Sequence, residues 1–318
     1  MIITLTLNPA IDETVEVDGF NEGDTNRVVS IRRDIGGKGI NVARVLKELG
    51  YEPLAGGFAP GNLGRIIDDT LVDSGIGTEL VSFAGETRTN INIIDRVTHA
   101  HTVLATAGPA VPPEAVAQLR ERLLRRIRPD TWLVLAGSIP PPLGAWLYIE
   151  LIAAVAERGG ATALDADGPI VESVLASQVR PTLLKLNDHE ATRLLGSPTD
   201  SQEAALEAAR VLQQDGVPNV VITRGDRGAI AVTRLGEFIV RAPVVEVDSA
   251  VGAGDGFLAG LLLGLTRGWS WEEALSLAAA AGSAVCLTPG TALCRAAQVD
   301  QLIPRVAVER VREQSHVG

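Results

Sequence analysis

The chain has 318 residues, 46% hydrophobic and 21% charged, an ordinary globular composition. Its 39 acidic against 28 basic side chains leave a net charge of -11, which excludes nucleic acid or an anionic membrane as partners through bulk charge. A local basic pocket for a small anion is not excluded, and Cys286 and Cys294, forming no CxxC pair or disulfide framework, point to a reducing compartment.

The opening MIITLTLNPAID has no basic leader and too short an apolar part for a signal peptide. FLAGLLLGL and LAAAAGSAVCL are glycine-broken and too short to span a bilayer, so the expectation is a cytoplasmic protein. IITLTL (2–7) reads as a buried strand. ETVEVDGFNEGDTNRVVSIRR (13–33) then alternates apolar and polar residues, as half-exposed antiparallel strands do. In DIGGKGINVARVLKELG (34–50) a glycine-rich turn enters a helix whose Val42, Val45, Leu46 and Leu49 form one stripe, closed by Gly50. PLAGGF (53–58) is a strand and GRIIDDTLVDSG (64–75) a helix. TRTNINIIDRVTHAHTVLAT (87–106) alternates again, placing His99 and His101 on one face of a strand.

Helices are expected over 112–127, 143–159 and 201–216, with strands at TWLVLAG (131–137), ATALDA (161–166), TLLKL (182–186) and NVVITRG (219–225). A hairpin over 229–247 and helices starting near Gly254 and Trp271 complete the chain. The alternation predicts an α/β protein whose mostly parallel sheet is covered on both faces. The segments at about 13–35 and 87–107 form a small β-sheet lid or a dimer surface. No repeat or linker divides residues 1–318, which read as one domain.

Chemistry concentrates at the helix entrances. In DSAVGAGDGFLAG (248–260), Gly252 and Gly254 lack Cβ atoms, so main-chain N–H groups can approach an anion where the helix adds partial positive charge. Asp255 is an awkward neighbour for that anion unless it takes a proton from an attacking hydroxyl. Equally, the glycines make a plain turn, with Asp255 favoured by the helix dipole. GGKGIN fits neither the Walker nor the dinucleotide spacing, yet offers Lys38 as a point charge and Asn41 as a hydrogen-bond donor. Asn187 and Glu190 match a capping box. Taken alone, Lys185 reads as a strand-end lysine reaching solvent, Arg88 as a solvated charge on a lid strand, and Ser138 as a turn cap.

TLNPAID (6–12), GGKGINVAR, GETRTNI (85–91), AGSIPP (136–141), KLNDHE (185–190), TRGDRGA (223–229), GAGD and PGTAL (289–293), in this order, resemble the PfkB/ribokinase family of carbohydrate kinases, specifically its hexose-phosphate branch. The resemblance covers nearly the whole chain. It implies a ribokinase-like three-layer α/β/α sandwich with a β lid, and transfer of a phosphoryl group from ATP to a hydroxyl of a phosphorylated hexose. Fructose 1-phosphate, giving fructose 1,6-bisphosphate, is the favoured acceptor; tagatose 6-phosphate or fructose 6-phosphate kinases, a ribokinase- or nucleoside-type kinase, and a non-catalytic sugar-phosphate sensor are the alternatives.

Residue by residue, the resemblance implies Asp255 as base and Gly252, Ala253 and Gly254 as anion hole. Asp12, Gly37, Lys38, Asn41, Arg88, Asn90 and Ser138 would bind the sugar phosphate. Lys185, Asn187, Glu190, Thr223, Gly225, Gly228 and Ser283 would bind ATP, with Asn187 and Glu190 helping to place Mg2+ through the ATP phosphates and Ser283 on the helix lining the adenine pocket. A homodimer through the lid is the implied assembly. The chain departs from the family at Leu186, where proline is common. It departs again at Gly256, whose backbone freedom is expected to loosen the helix start, and at ALDADGP (163–169).

Overall fold

The computed structural model describes residues 1–288 and 293–312. All of PGTAL except Leu293 therefore lies outside the described residues. The chain begins β1 (Ile2–Thr6), β2 (Ala10–Val17), β3 (Val28–Gly36), α1 (Lys38–Glu48), β4 (Leu54–Phe58), α2 (Gly61–Asp73) and β5 (Gly77–Val81). It continues β6 (Arg88–Asp95), β7 (His101–Leu104), α3 (Pro113–Arg126), β8 (Trp132–Gly137), α4 (Trp146–Glu157), β9 (Ala161–Ala166) and α5 (Gly168–Leu175). Next come β10 (Leu183–Asn187), α6 (Asp188–Leu195), α7 (Gln202–Gln214), β11 (Asn219–Thr223), β12 (Ala229–Thr233) and β13 (Gly236–Arg241). The last elements are α8 (Ala253–Thr266), α9 (Trp271–Val285), α10 (Ala296–Leu302) and β14 (Ala307–Arg312).

The main sheet is ten-stranded, in the order β14-β13-β12-β11-β10-β9-β8-β1-β4-β5. Neighbours from β11 to β5 are parallel, and β12 to β14 turn antiparallel. Two-residue alternation sends Ile3, Leu5, Leu133 and Leu135 into one face, against Leu123 of α3 and Leu151 and Val155 of α4. Ile2, Val134 and Ala163 go to the other, against Val42, Val45 and Leu46 of α1 and the apolar sides of α8 and α9. This is the expected three-layer sandwich.

The lid is a second sheet, β3-β2-β6-β7. It starts at Ala10, three residues earlier than the alternation suggested. β2 and β6 pair in parallel, which sets Asp12 opposite Asn90. His99 and His101 do not share a strand face: His99 has φ 57 in the turn before β7, and His101 opens that strand.

Gly256 does not loosen the start of α8. Gly256, Gly260 and Gly264 recur every fourth residue and form the seam against α9. A Cβ on Gly256 would lie 2.8 Å from Val285 Cγ2 and 3.1 Å from Ala281 O. One on Gly260 would lie 2.8 Å from Leu277 O and 2.9 Å from Ala278 Cα. Each glycine costs helix propensity, and the close approach of two buried helices offsets it. Gly260→Ala is therefore expected to destabilise the protein by about 1–3 kcal/mol in a urea titration, although alanine is the better helix former. Stability equal to wild type would mean that the seam has slack.

Candidate active site

A cleft of about 770 Å³ opens at the carboxyl ends of β1, β8, β9, β10 and β11, walled on one side by the base of the lid. Its position follows from the topology, since the loops leaving parallel strands gather at that end. The helices α1 and α8 both start in it. Their N-caps are Gly37 and Gly252, and neither end has a side-chain cap. By contrast α6, α7 and α9 are capped by Asn187, Ser201 and Ser270. In α8 the Ala253 N–H donates to Ala250 O at 3.3 Å, which leaves the amides of Gly252 and Gly254 to a ligand. Gly252 has φ 81, the left-handed region, which lets the chain turn sharply into the helix.

Asp255 is the third residue of α8 and only 6% exposed. Its Oδ2 accepts from Asn41 Nδ2 at 2.8 Å, joining residues 214 apart in sequence. Burial, reinforced by the charge of Asp165, pushes the Asp255 carboxyl up to about 7, against the opposing pull of Asn41, Lys38 and Lys185. A carboxyl group with that affinity is poised to take a proton near neutrality.

Asp165, at the end of β9, was not among the residues singled out from sequence. Its Oδ1 accepts from Lys38 Nζ and its Oδ2 from Lys185 Nζ, both at 2.7 Å. Burial would raise its pKa, but the two ammonium groups outweigh burial and hold the carboxyl down at about 2. Burial likewise works against the charge on Lys38, yet Asp165, Glu190 and Asp255 together keep that lysine above its ordinary range. Lys185 is 4% exposed rather than a solvent-reaching strand end.

Arg88, Asn90 and Ser138 line the same cleft. Arg88 Nη1 donates to Thr106 O at 2.8 Å and Nη2 to Asn8 O at 3.1 Å. Asn90 Nδ2 donates to Asp12 Oδ1 at 2.8 Å, so Asp12 stands one residue behind the cleft wall. Burial raises the Asp12 pKa, opposed by Asn90 and Arg88. Asn8, also not singled out from sequence, donates from Nδ2 to Ser138 Oγ at 3.1 Å. Thr6 Oγ1, Asn8 Oδ1, Asn41 Oδ1 and Arg88 Nε are buried without a protein partner, and all four residues line the cleft. Thr6 Oγ1 and Asn8 Oδ1 pack against Gly39 and Gly108, which leaves Asn41 Oδ1 and Arg88 Nε as the atoms that call for a polar ligand.

On the far side, Lys185, Asn187, Glu190, Thr223 and Gly225 line the cleft together with Asp188, Arg224 and Arg227. Asn187 and Glu190 do form the capping box: Asn187 Oδ1 accepts from Glu190 N and Glu190 Oε2 from Asn187 N, each at 2.8 Å. Glu190 Oε1 is left 4.0 Å from Lys38 Nζ. Arg227 pairs with Asp188. Two expected residues stand apart. Gly228 lies behind the loop, where a Cβ would meet Val240 O at 1.9 Å, so close backbone approach accounts for it. Ser283 is 9% exposed on α9 and is not among the lining residues.

The residues sequence reasoning missed are polar groups whose partners are distant in the chain. For Asp165 a signal existed: ATALDA puts a carboxylate at the end of an otherwise apolar buried strand.

Known proteins resemble the chain over nearly its whole length. The family model described as pfkB family carbohydrate kinase matches residues 5–298. Tagatose-6-phosphate kinase of Staphylococcus epidermidis is 32% identical over 313 residues, covering 98% of this chain and 100% of the relative. The 1-phosphofructokinase of Rhodobacter capsulatus is 36% identical over 284 residues, 88% of each chain. Among solved structures, phosphofructokinase-2 from Escherichia coli in complex with substrates and products superposes with a TM-score of 0.88 at 28% identity, over 95% of this chain and 98% of that one.

Proposed function

The chain belongs to the pfkB family of carbohydrate kinases and is a sugar-phosphate kinase, and from that premise we propose that it transfers the γ-phosphoryl group of ATP to fructose 1-phosphate, giving fructose 1,6-bisphosphate. The observation that carries this reading is one cleft holding a buried carboxyl group beside uncapped helix amides, with Arg88 and Lys38 on its walls. The free hydroxyl of the sugar attacks the γ-phosphorus, the bond to the β-phosphate oxygen breaks, and ADP leaves. The hydroxyl proton passes to Asp255. The amides of Gly252 and Gly254 would receive the charge of the transferring group; that of Ala253, the third member of the expected anion hole, is held by Ala250 O.

Gly37, Lys38, Asn41, Asn90 and Ser138 would hold the acceptor, with Arg88 on its phosphate and Asp12 behind the wall orienting Asn90. Lys185, Asn187, Glu190, Thr223 and Gly225 would face ATP. No cluster of three or more His, Cys, Asp or Glu side chains is placed to hold a metal among the described residues. Asn187 Oδ1 and Glu190 Oε2 are taken up in the capping box, which leaves Glu190 Oε1 as the oxygen that would help to place, through water, a magnesium ion arriving on the ATP phosphates, where it would neutralise phosphate charge. The exposed apolar residues Val28, Ile31, Val103 and Leu104 of the lid support pairing of two copies through that sheet. No helix among the described residues is long and apolar enough to cross a membrane.

An ATP-consumption screen over fructose 1-phosphate, tagatose 6-phosphate, fructose 6-phosphate, fructose and ribose tests the reading. Turnover confined to fructose or ribose, or none at all, would sink it. Tagatose 6-phosphate is the second reading, favoured by the Staphylococcus relative that aligns along its whole length.

A base must be unprotonated to act, and the Asp255 carboxyl is pushed up to about 7. The acid limb of kcat/KM is therefore expected near pH 7, falling about tenfold per pH unit below it. A profile flat down to about pH 5, the range of an ordinary carboxylate, would contradict the role.

A further inference from the structure

Asp165 is the most buried charged group of the cleft, and the roles proposed above leave it unused. Its side chain is 2% exposed, and each of its two oxygens is occupied by a different lysine. Lys38 is the first residue of α1 and Lys185 lies on β10, so one carboxylate ties two elements of the sandwich together. Both lysines stand on one carboxylate, and each faces a different neighbour. Lys185 Nζ lies 3.1 Å from the position a Cβ on Gly254 would take, against the α8 turn, and Lys38 Nζ lies 4.0 Å from Glu190.

We propose that Asp165 is a positioning residue of the phosphoryl transfer: it holds Lys38 and Lys185 at fixed stations on either side of the transferring group. This rests on the kinase reading given above. An ammonium group has three N–H donors, and each lysine spends one on Asp165, which leaves two for phosphate oxygens. Without the carboxylate the two cations would repel each other, and each would follow its flexible stem toward whatever anion is nearest. A displacement of about 1 Å at such a site costs on the order of 100-fold in rate.

The same carboxylate acts on Asp255 through space. The charged groups that bear on Asp255 are Lys38 from α1, Lys185 from β10 and Asp165 from β9, with Glu190 of α6 beyond Lys38. Asp165 is the one whose charge favours protonation of Asp255. Neutralising it should therefore move the acid limb of the pH profile, which a merely structural residue would not do.

The test is Asp165→Asn. An amide can accept from one lysine only, because its nitrogen faces the other donor to donor. The expected result is a loss of kcat on the order of 100-fold, raised KM for both substrates, and an acid limb displaced to lower pH than wild type. Asp165→Glu restores the charge and should return the acid limb toward its wild-type position, whatever its kcat. If Asp165→Asn does not fold, the double variant Asp165→Asn/Lys185→Met is compared with Lys185→Met alone, so that the difference in acid limb reports the loss of Asp165 and not that of Lys185. A folded Asp165→Asn equal to wild type in kcat, both KM values and acid limb, or a double variant equal to Lys185→Met in all of these, would overturn the proposal. A wild-type protein inactive on every sugar phosphate would instead overturn the kinase reading, so the two failures are distinguishable.

Discussion

Asp255→Asn is expected to lower kcat by ~10²–10⁴-fold, the usual worth of a general base, while sugar-phosphate binding stays near the wild-type value. Asparagine has the same shape, and its amide oxygen can still accept from Asn41, which donates to Asp255 Oδ2 at 2.8 Å. The helix turn at Gly252 is untouched, so the loss isolates the proton transfer. Isothermal titration with fructose 1-phosphate together with steady-state kinetics would check both halves. Unimpaired turnover in the variant would remove Asp255 from its role.

The same substitution carries an independent thermodynamic signature. The Asp255 carboxyl, ordinarily at 3.8, is pushed up to about 7 by its burial and by Asp165. A raised carboxyl stabilises the folded state below its unfolded pKa, and that contribution is lost as pH rises through the folded one. Above about pH 7 the wild type therefore carries the whole cost of a buried, ionised aspartate. Asp255→Asn removes it. The stability gain of the variant should grow from about pH 4 to about pH 7 and then level off, reaching on the order of a few kcal/mol. Thermal melts across that range would measure it, and an inactive but more stable variant is what a residue kept for chemistry predicts.

Arg88→Met is expected to raise KM for fructose 1-phosphate by ~10–100-fold, the value of a charge-assisted hydrogen bond to phosphate, with KM for ATP unchanged. Methionine keeps the apolar stem of a side chain that opens β6 and lines the cleft. Arg88 is tied by its terminal nitrogens to the carbonyls of Thr106 and Asn8, not to a carboxylate, so its charge faces an incoming anion. Binding of unphosphorylated fructose should not change. An equal loss for fructose and fructose 1-phosphate would show that Arg88 holds the lid rather than the phosphate.

Much of the fold is legible locally. ATALDA and NVVIT are strands at the expected places because branched and apolar runs bounded by turns suit a sheet buried on both faces. The helix at 201–216 appears as α7 with Ser201 as its cap. The strands β5 and β14 escaped notice because they are edge strands. GTELV is partly exposed, and AVERVR pairs among the described residues only with β13, so neither shows the dense apolar run of a central strand. At the site, the glycine-flanked helix entrances announced Lys38 and Asp255, whereas the capping by Asn187 and Glu190 was one of two possible uses of the same pair.

By itself, then, the sequence determined what depends on neighbours within a few turns of chain: strand and helix, glycine-capped entrances, the alternating lid segments and the order of family motifs. Tertiary structure alone decided that Asn41 meets Asp255 across 214 positions, that Asp165 holds lysines 127 and 20 residues away, and that Gly256 packs against α9. Local periodicity reports which face of an element is apolar. It carries no information on which charge another element brings within 3 Å, and in a buried cleft that distance sets the affinity of a carboxyl group for its proton.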